Sequence, residues 1–160
     1  MSTDPSSHSP LSDRELILVR ETDVPREKLY AGWTDPEAYP RWFCPRPWAV
    51  SDVELDVRPG GASRMTICGP DGERVPNQGV YLEVVPNEKL VFTDAYFAKW
   101  EPNPEPFITG IITFEALPGG GTRYTARARH WTREACERHA AMGFHEGWAK
   151  AFDQLVEICR

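Results

Sequence analysis

His145 and Glu146 open the pattern His-Glu-x-x, which a second histidine at the next helical turn would complete as a zinc-protease helix. Position 149 is alanine, so that metal site is not formed. The His145 imidazole stays a candidate by itself. Near neutral pH it can move a proton or hydrogen-bond a ligand oxygen, unless a strand carbonyl or a tyrosine satisfies it in the core. Asp94 is the second candidate, in the alternating row Leu90, Phe92, Asp94, Tyr96. It is either a carboxylate at a cavity rim, able to join His145 in acid–base chemistry, or the end of a frayed strand. Asn77, Gly79, Tyr81 and Glu83 make a comparable row, with Tyr81 suited to line a pocket. Arg123, Thr125, Arg127 and Arg129 share a strand face opposite Tyr124, Ala126 and Ala128. Facing water they form a solvated outer surface; facing inward they would select an anion.

Other chemistries have no visible support. Cys44, Cys68, Cys136 and Cys159 lack CxxC spacing, so neither a metal site nor a redox motif is expected, and no cofactor is implied. No serine, cysteine or lysine stands in a nucleophile motif. Arg58-Pro59-Gly60-Gly61 resembles a phosphate loop only superficially, because no helix N-terminus follows it. It reads as a turn.

The candidates need elements to position them. Beyond Thr132 the chain has no proline, and the pattern predicts one long helix running to the C-terminus. At about 100° per residue, Ala141, Phe144, Trp148, Phe152, Leu155 and Cys159 fall on one stripe. By the same geometry His145 lies about 40° from the stripe's centre and looks inward. Glu146, about 140° away, looks outward towards Lys150. Gly143 and Gly147 each weaken a helix by about 1 kcal/mol. Close approach to a sheet, or room for a ligand, would explain them.

Upstream, residues 1–13 hold serine, proline and few apolar side chains and read as a disordered tail. The first strand begins near Glu15. Pro25 opens a short helix carrying Leu29, Tyr30 and Trp33, and the capping-box pair Thr34 and Glu37 opens another. Trp33, Trp42 and Phe43 would pack where these helices meet the sheet, with Trp42 and Phe43 also placed to gate an entrance. Strands follow over 50–57, 62–68, 75–85, 90–97, 107–117 and 122–131. Short joints rich in proline, glycine and asparagine make them antiparallel hairpins. A twisted sheet of that size curls, and only the final helix is long enough to fill its concave face.

The net charge of −6 over 160 residues argues against nucleic acid or an anionic membrane as partner. No apolar run approaches a membrane span, and the N-terminus lacks a signal-peptide pattern. A cytoplasmic protein is expected.

Several motifs carry a family resemblance. Pro25, Trp33-Thr34-Asp35-Pro36-Glu37 and Arg41-Trp42-Phe43 form an N-terminal signature. Asp56-Val57-Arg58-Pro59-Gly60-Gly61 forms a turn, and Gly79 to Pro86 with Leu90-Val91-Phe92-Thr93 the central strands. Met142 to Trp148 with Leu155 forms the final helix. Together they resemble the SRPBCC (START-like, birch-pollen-allergen-like) superfamily. The branch is the one related to the C-terminal domain of the activator of heat-shock protein 90 ATPase. The resemblance implies an α+β helix-grip fold in a single domain over 14–160: a curved sheet of six to seven strands around a long C-terminal helix. It implies an internal cavity for a small apolar or amphipathic molecule. Tyr81, Tyr96, Phe144, His145, Trp148, Phe152, Trp42 and Phe43 are the expected contacts. The superfamily also includes cyclases and hydrolases, so catalysis by His145 with Asp94 is the alternative. A chaperone-associated protein-binding module is a third reading, weakened because nothing here resembles the activator's separate N-terminal domain. A homodimer is the assembly that common symmetry favours.

Overall fold

The structure, a computed structural model, describes residues 10–160. Alternating apolar residues give the strands β1 (Glu15–Thr22), β2 (Ala49–Leu55), β3 (Ala62–Cys68), β4 (Arg74–Val85) and β5 (Lys89–Thr93). A small hairpin, β6 (Tyr96–Phe97) and β7 (Glu101–Pro102), precedes β8 (Thr109–Ala116) and β9 (Thr122–Arg129). The helices are α1 (Arg26–Thr34), α2 (Arg133–Ala141) and α3 (Phe144–Cys159). Seven strands form one antiparallel sheet in the order β1-β9-β8-β5-β4-β3-β2. The sheet curls around α3, which is the helix-grip architecture.

Strand β9 shows how sequence sets the two faces. Thr122, Tyr124, Ala126 and Ala128 are buried, while the intervening Arg123, Thr125, Arg127 and Arg129 are half-exposed. The arginines stay outside because each finds a carboxylate there. Arg123 pairs with Glu21 at 2.9 Å and Glu115 at 3.1 Å, and Arg127 and Arg129 share Glu15 at 3.1 and 2.7 Å. The exposed Arg123 pairs contribute about 1 kcal/mol at most, while the Glu15 carboxylate is nearly enclosed beside its two arginines. The energy lies on the other face, where Leu29, Leu90, Ile112 and Leu155 are fully enclosed with Phe114 and Phe144.

Four expectations need correction. Leu11–Asp13 form a single 3-10 turn rather than disordered tail, and Arg133 reaches Asp13 at 3.3 Å. The rest of the expected tail, 1–9, lies outside the described residues. The second short helix shrinks to a 3-10 turn at Tyr39–Arg41. The capping box that should open it is absent: Thr34 Oγ1 donates back to the Tyr30 carbonyl at 2.9 Å, and Asp35 Oδ1 accepts from the Glu37 amide instead.

The long strand over 90–97 stops at Thr93. The Asp94 carboxylate accepts the Phe107 amide at 2.8 Å and the Ile108 amide at 3.1 Å, which turns the chain out of the sheet. Tyr96 therefore sits on the separate hairpin rather than on the row of Leu90 and Phe92.

The long C-terminal helix is two helices. On one continuous helix His139 and Phe144 would stand about 140° apart, yet both are buried. The break at Met142–Gly143 resolves the conflict. Gly143 takes φ +96°, and its amide and that of Met142 close the end of α2 on the Ala140 and Arg138 carbonyls, as glycine does at a left-handed helix stop. Gly143→Ala should lower the stability by about 1 kcal/mol, the cost of a Cβ in that region. An unchanged urea midpoint would show that the kink does not depend on glycine.

Candidate functional site

A hollow of about 380 Å³ lies between α3 and the concave face of the sheet. Its walls follow from three local features. First, α3 turns Phe144, Gly147, Trp148 and Ala151 towards it. Gly147 lies one helical turn before the buried Ala151 and two before the buried Leu155, so a side chain there would point inward. A Cβ at Gly147 would meet nothing within 4 Å. The glycine therefore makes room and is not there for close packing.

Second, a bulge in β4 between Tyr81 and Glu83 shifts the pleat. Tyr81 is buried against the hollow, Glu83 turns out to pair with Lys89 at 3.2 Å, and Val84 takes the inward place. Third, the segment carrying Trp42, Phe43 and Cys44 is pinned against the hollow by Gln154. The Gln154 amide donates to the Trp42 and Cys44 carbonyls at 2.9 Å each and accepts the Arg46 amide at 3.0 Å. Trp33 packs behind it, 4.9 Å from Trp42 and 5.6 Å from Phe92 between ring centres, and its indole N–H donates to the Tyr124 hydroxyl.

Of the residues expected at the site, Tyr81, Phe144, Trp148, Trp42, Phe43 and Asp94 line the hollow. Phe152 is buried beside Tyr124, 4.6 Å between rings, and belongs to the packed core below it. Tyr96 is displaced with its hairpin and stands against Trp100. His145 is exposed and outside the lining, which corrects its inward placement. His145 stands about 100° around α3 from Phe144, which puts it beyond the face on which Phe144, Ala151 and Leu155 are buried. His145 and Asp94 are not brought together as an acid–base pair. Burial raises the Asp94 carboxyl above its usual range, and its two backbone amides partly restrain that rise.

The buried histidines are two others, which no sequence motif marks. His130 and His139 are almost fully enclosed, with His130 Nε2 2.9 Å from His139 Nδ1. The other ring nitrogen of His130 lies 2.9 Å from the Arg14 carbonyl. His139 lines the hollow and is ringed by Phe107, Phe144 and Trp148. A signal for His130 was available: it continues the inward parity of Tyr124, Ala126 and Ala128. His139 had none, because its helix was given the wrong phase.

Burial first, and then the adjacent His130, lower the His139 imidazole to about 4. The sign is that of a histidine kept neutral by folding. Its contribution is complete above the unfolded value of about 6.5 and is lost as the pH falls from there towards 4. We expect acidification across that window to cost about 2 kcal/mol, less than the full shift implies because the ring's edge faces the open hollow. The raised Asp94 carboxyl acts with opposite sign, so the measurement is the pH dependence of urea stability in wild type against His139→Phe. Identical pH profiles would show that His139 is not the responsive group.

The same burial shields the other polar groups. The Tyr81 phenol is pushed up to about 12 and the Cys44 thiol to about 11, chiefly by desolvation. Cys44 is thus held as a thiol and is not poised as a nucleophile. Among the described residues no group of three histidine, cysteine or acidic side chains is placed to hold a metal, and no helix is long and apolar enough to cross a membrane.

The family model described as Activator of Hsp90 ATPase homolog 1-like protein matches residues 23–160. The chain belongs to that family. This Activator of Hsp90 ATPase homolog 1-like domain is of SRPBCC type, as its motifs implied. It is similar to the crystal structure of a Nitrosomonas europaea protein, with 38% identity over 91% of this chain and 94% of the other, at a TM-score of 0.87. A Mycobacterium smegmatis crystal structure is 26% identical, covers 93% of this chain and 92% of its own, and has a TM-score of 0.77. No curated protein matches the chain.

Proposed function

We propose that this domain binds one small, mostly apolar molecule in the hollow between α3 and the sheet. The observation that carries the reading is Gly147. A buried helix face places a glycine where a side chain would meet only open space, and it does so against the helix's own propensity. Around that space stand the rings of Trp33, Tyr39, Trp42, Phe43, Tyr81, Phe92 and Trp148. The volume of about 380 Å³ falls within the range of sites that enclose small ligands. No lysine or arginine is among the lining residues, which favours an uncharged molecule. The three-dimensional neighbours fit a binding domain as well as any other use of the fold, so the weight rests on the hollow itself.

The test is native mass spectrometry of the purified protein for a retained small molecule, paired with displacement of a hydrophobic fluorescent probe. A bound mass released on denaturation, or a saturable probe signal, is the expected result. Preparations that are always empty and bind no probe would end the reading. Four unpaired cysteines fit the reducing cytoplasm as the place of action.

A further inference from the structure

The His130–His139 pair has a direction. The Arg14 carbonyl can only accept, so His130 Nδ1 carries the proton in that 2.9 Å contact. In the uncharged pair, His130 Nε2 is then bare and must accept from His139 Nδ1 at 2.9 Å. The proton of His139 is thereby fixed on Nδ1, and its Nε2 is left with a free lone pair. Among the described residues, Arg26 Nε is the only side-chain nitrogen or oxygen that is both sealed and without a hydrogen bond. His139 Nε2 has no partner there, so it keeps access to open space, and His139 is part of the hollow's wall.

We propose that His139 Nε2 is the polar anchor of the hollow, recognising an O–H or N–H donor on an otherwise apolar, uncharged ligand such as a phenol or alcohol. The inference rests on the hollow being a binding site and adds the chemical class of what enters it. Three features of the wall support that class. His139 is flanked by the rings of Phe107, Phe144 and Trp148, which present apolar surface beside the acceptor. The lining holds no cationic side chain, and Asp94, already spent on the Phe107 and Ile108 amides, would repel a carboxylate. A neutral imidazole locked as an acceptor offers nothing to an anion and a directed bond to a donor. The backbone of Arg14 sets the tautomer from outside the hollow, so the anchor is preorganised before any ligand arrives.

The test uses three probes of similar shape: a naphthol, its methyl ether and the corresponding naphthoate, titrated by tryptophan fluorescence. The naphthol should bind about tenfold more tightly than the ether, the gain expected of one added hydrogen bond in a dry site. The naphthoate should bind more weakly than either. In His139→Phe, which keeps an aromatic ring and removes the acceptor, the naphthol should fall to the ether's affinity. Equal binding of naphthol and ether by the wild type overturns the anchor while leaving the hollow as a site. Survival of the preference in His139→Phe overturns it as well. If none of the probes binds, the binding reading itself fails. Should the variant not fold, long-range proton–nitrogen NMR of the wild type decides the matter. The proton of His139 must lie on Nδ1, and the Nε2 resonance must move when naphthol is added. A proton on Nε2 rules the anchor out.

Discussion

Replacing Gly147 by phenylalanine is expected to leave the domain folded and to weaken probe binding by about 100-fold or more. The position is helical and inward, and nothing lies within 4 Å of an added Cβ. The added Cβ displaces nothing, and the ring beyond it extends into the space that a ligand would take. Part of the glycine's helix penalty of about 1 kcal/mol is also removed, so stability should rise or hold. Gly147→Ala separates the two effects, since it gains the propensity and fills little of the hollow. The measurement is probe affinity beside urea stability for both variants. Full binding by a folded Gly147→Phe protein would mean that the ligand, if any, sits elsewhere.

The second large effect is on stability. Trp33→Ala should cost about 4 kcal/mol, the usual range for deleting a large buried aromatic. Trp33 is nearly enclosed and lies within 6.0 Å, ring centre to ring centre, of Tyr39, Trp42, Phe43 and Phe92. Its indole N–H also satisfies the Tyr124 hydroxyl at 3.1 Å. Removing it leaves that buried hydroxyl without its donor, which adds to the loss of packing. For a domain of this size the melting temperature should fall by about 10 °C. Trp33→Phe keeps a ring but not the donor and should lose roughly half as much. A melting temperature unchanged in Trp33→Ala would show that the aromatic cluster is loosely packed and that the hollow is larger than drawn.

Much of the architecture could be read from local patterns. The strand 62–68 was bounded correctly because turn residues stand at both ends. Alternation alone puts Arg123, Arg127 and Arg129 on one strand face, and the burial of Tyr124, Ala126 and Ala128 turns that face outward. Tyr81, Trp148, Trp42 and Phe43 were placed near the hollow by periodicity or by resemblance, and they line it. The misplacements share a cause. Tyr96 was carried along a strand that Asp94 interrupts through hydrogen bonds to Phe107 and Ile108, thirteen and fourteen residues away. Glu83 was assigned its face without the β4 bulge. His139 is hidden on a helix assumed continuous through Gly143, where one positive φ changes the phase of everything before it.

The sequence by itself determined the order of the seven sheet strands, their antiparallel hairpins and the apolar stripe of α3, because these depend on spacing within one segment or across one short joint. Only the tertiary structure decided which histidine faces the hollow. His130, just after β9, meets His139 in the last turn of α2, with Arg14 supplying the carbonyl from the far end of the chain. That contact depends on where segments distant in sequence are brought together, and no local period encodes it.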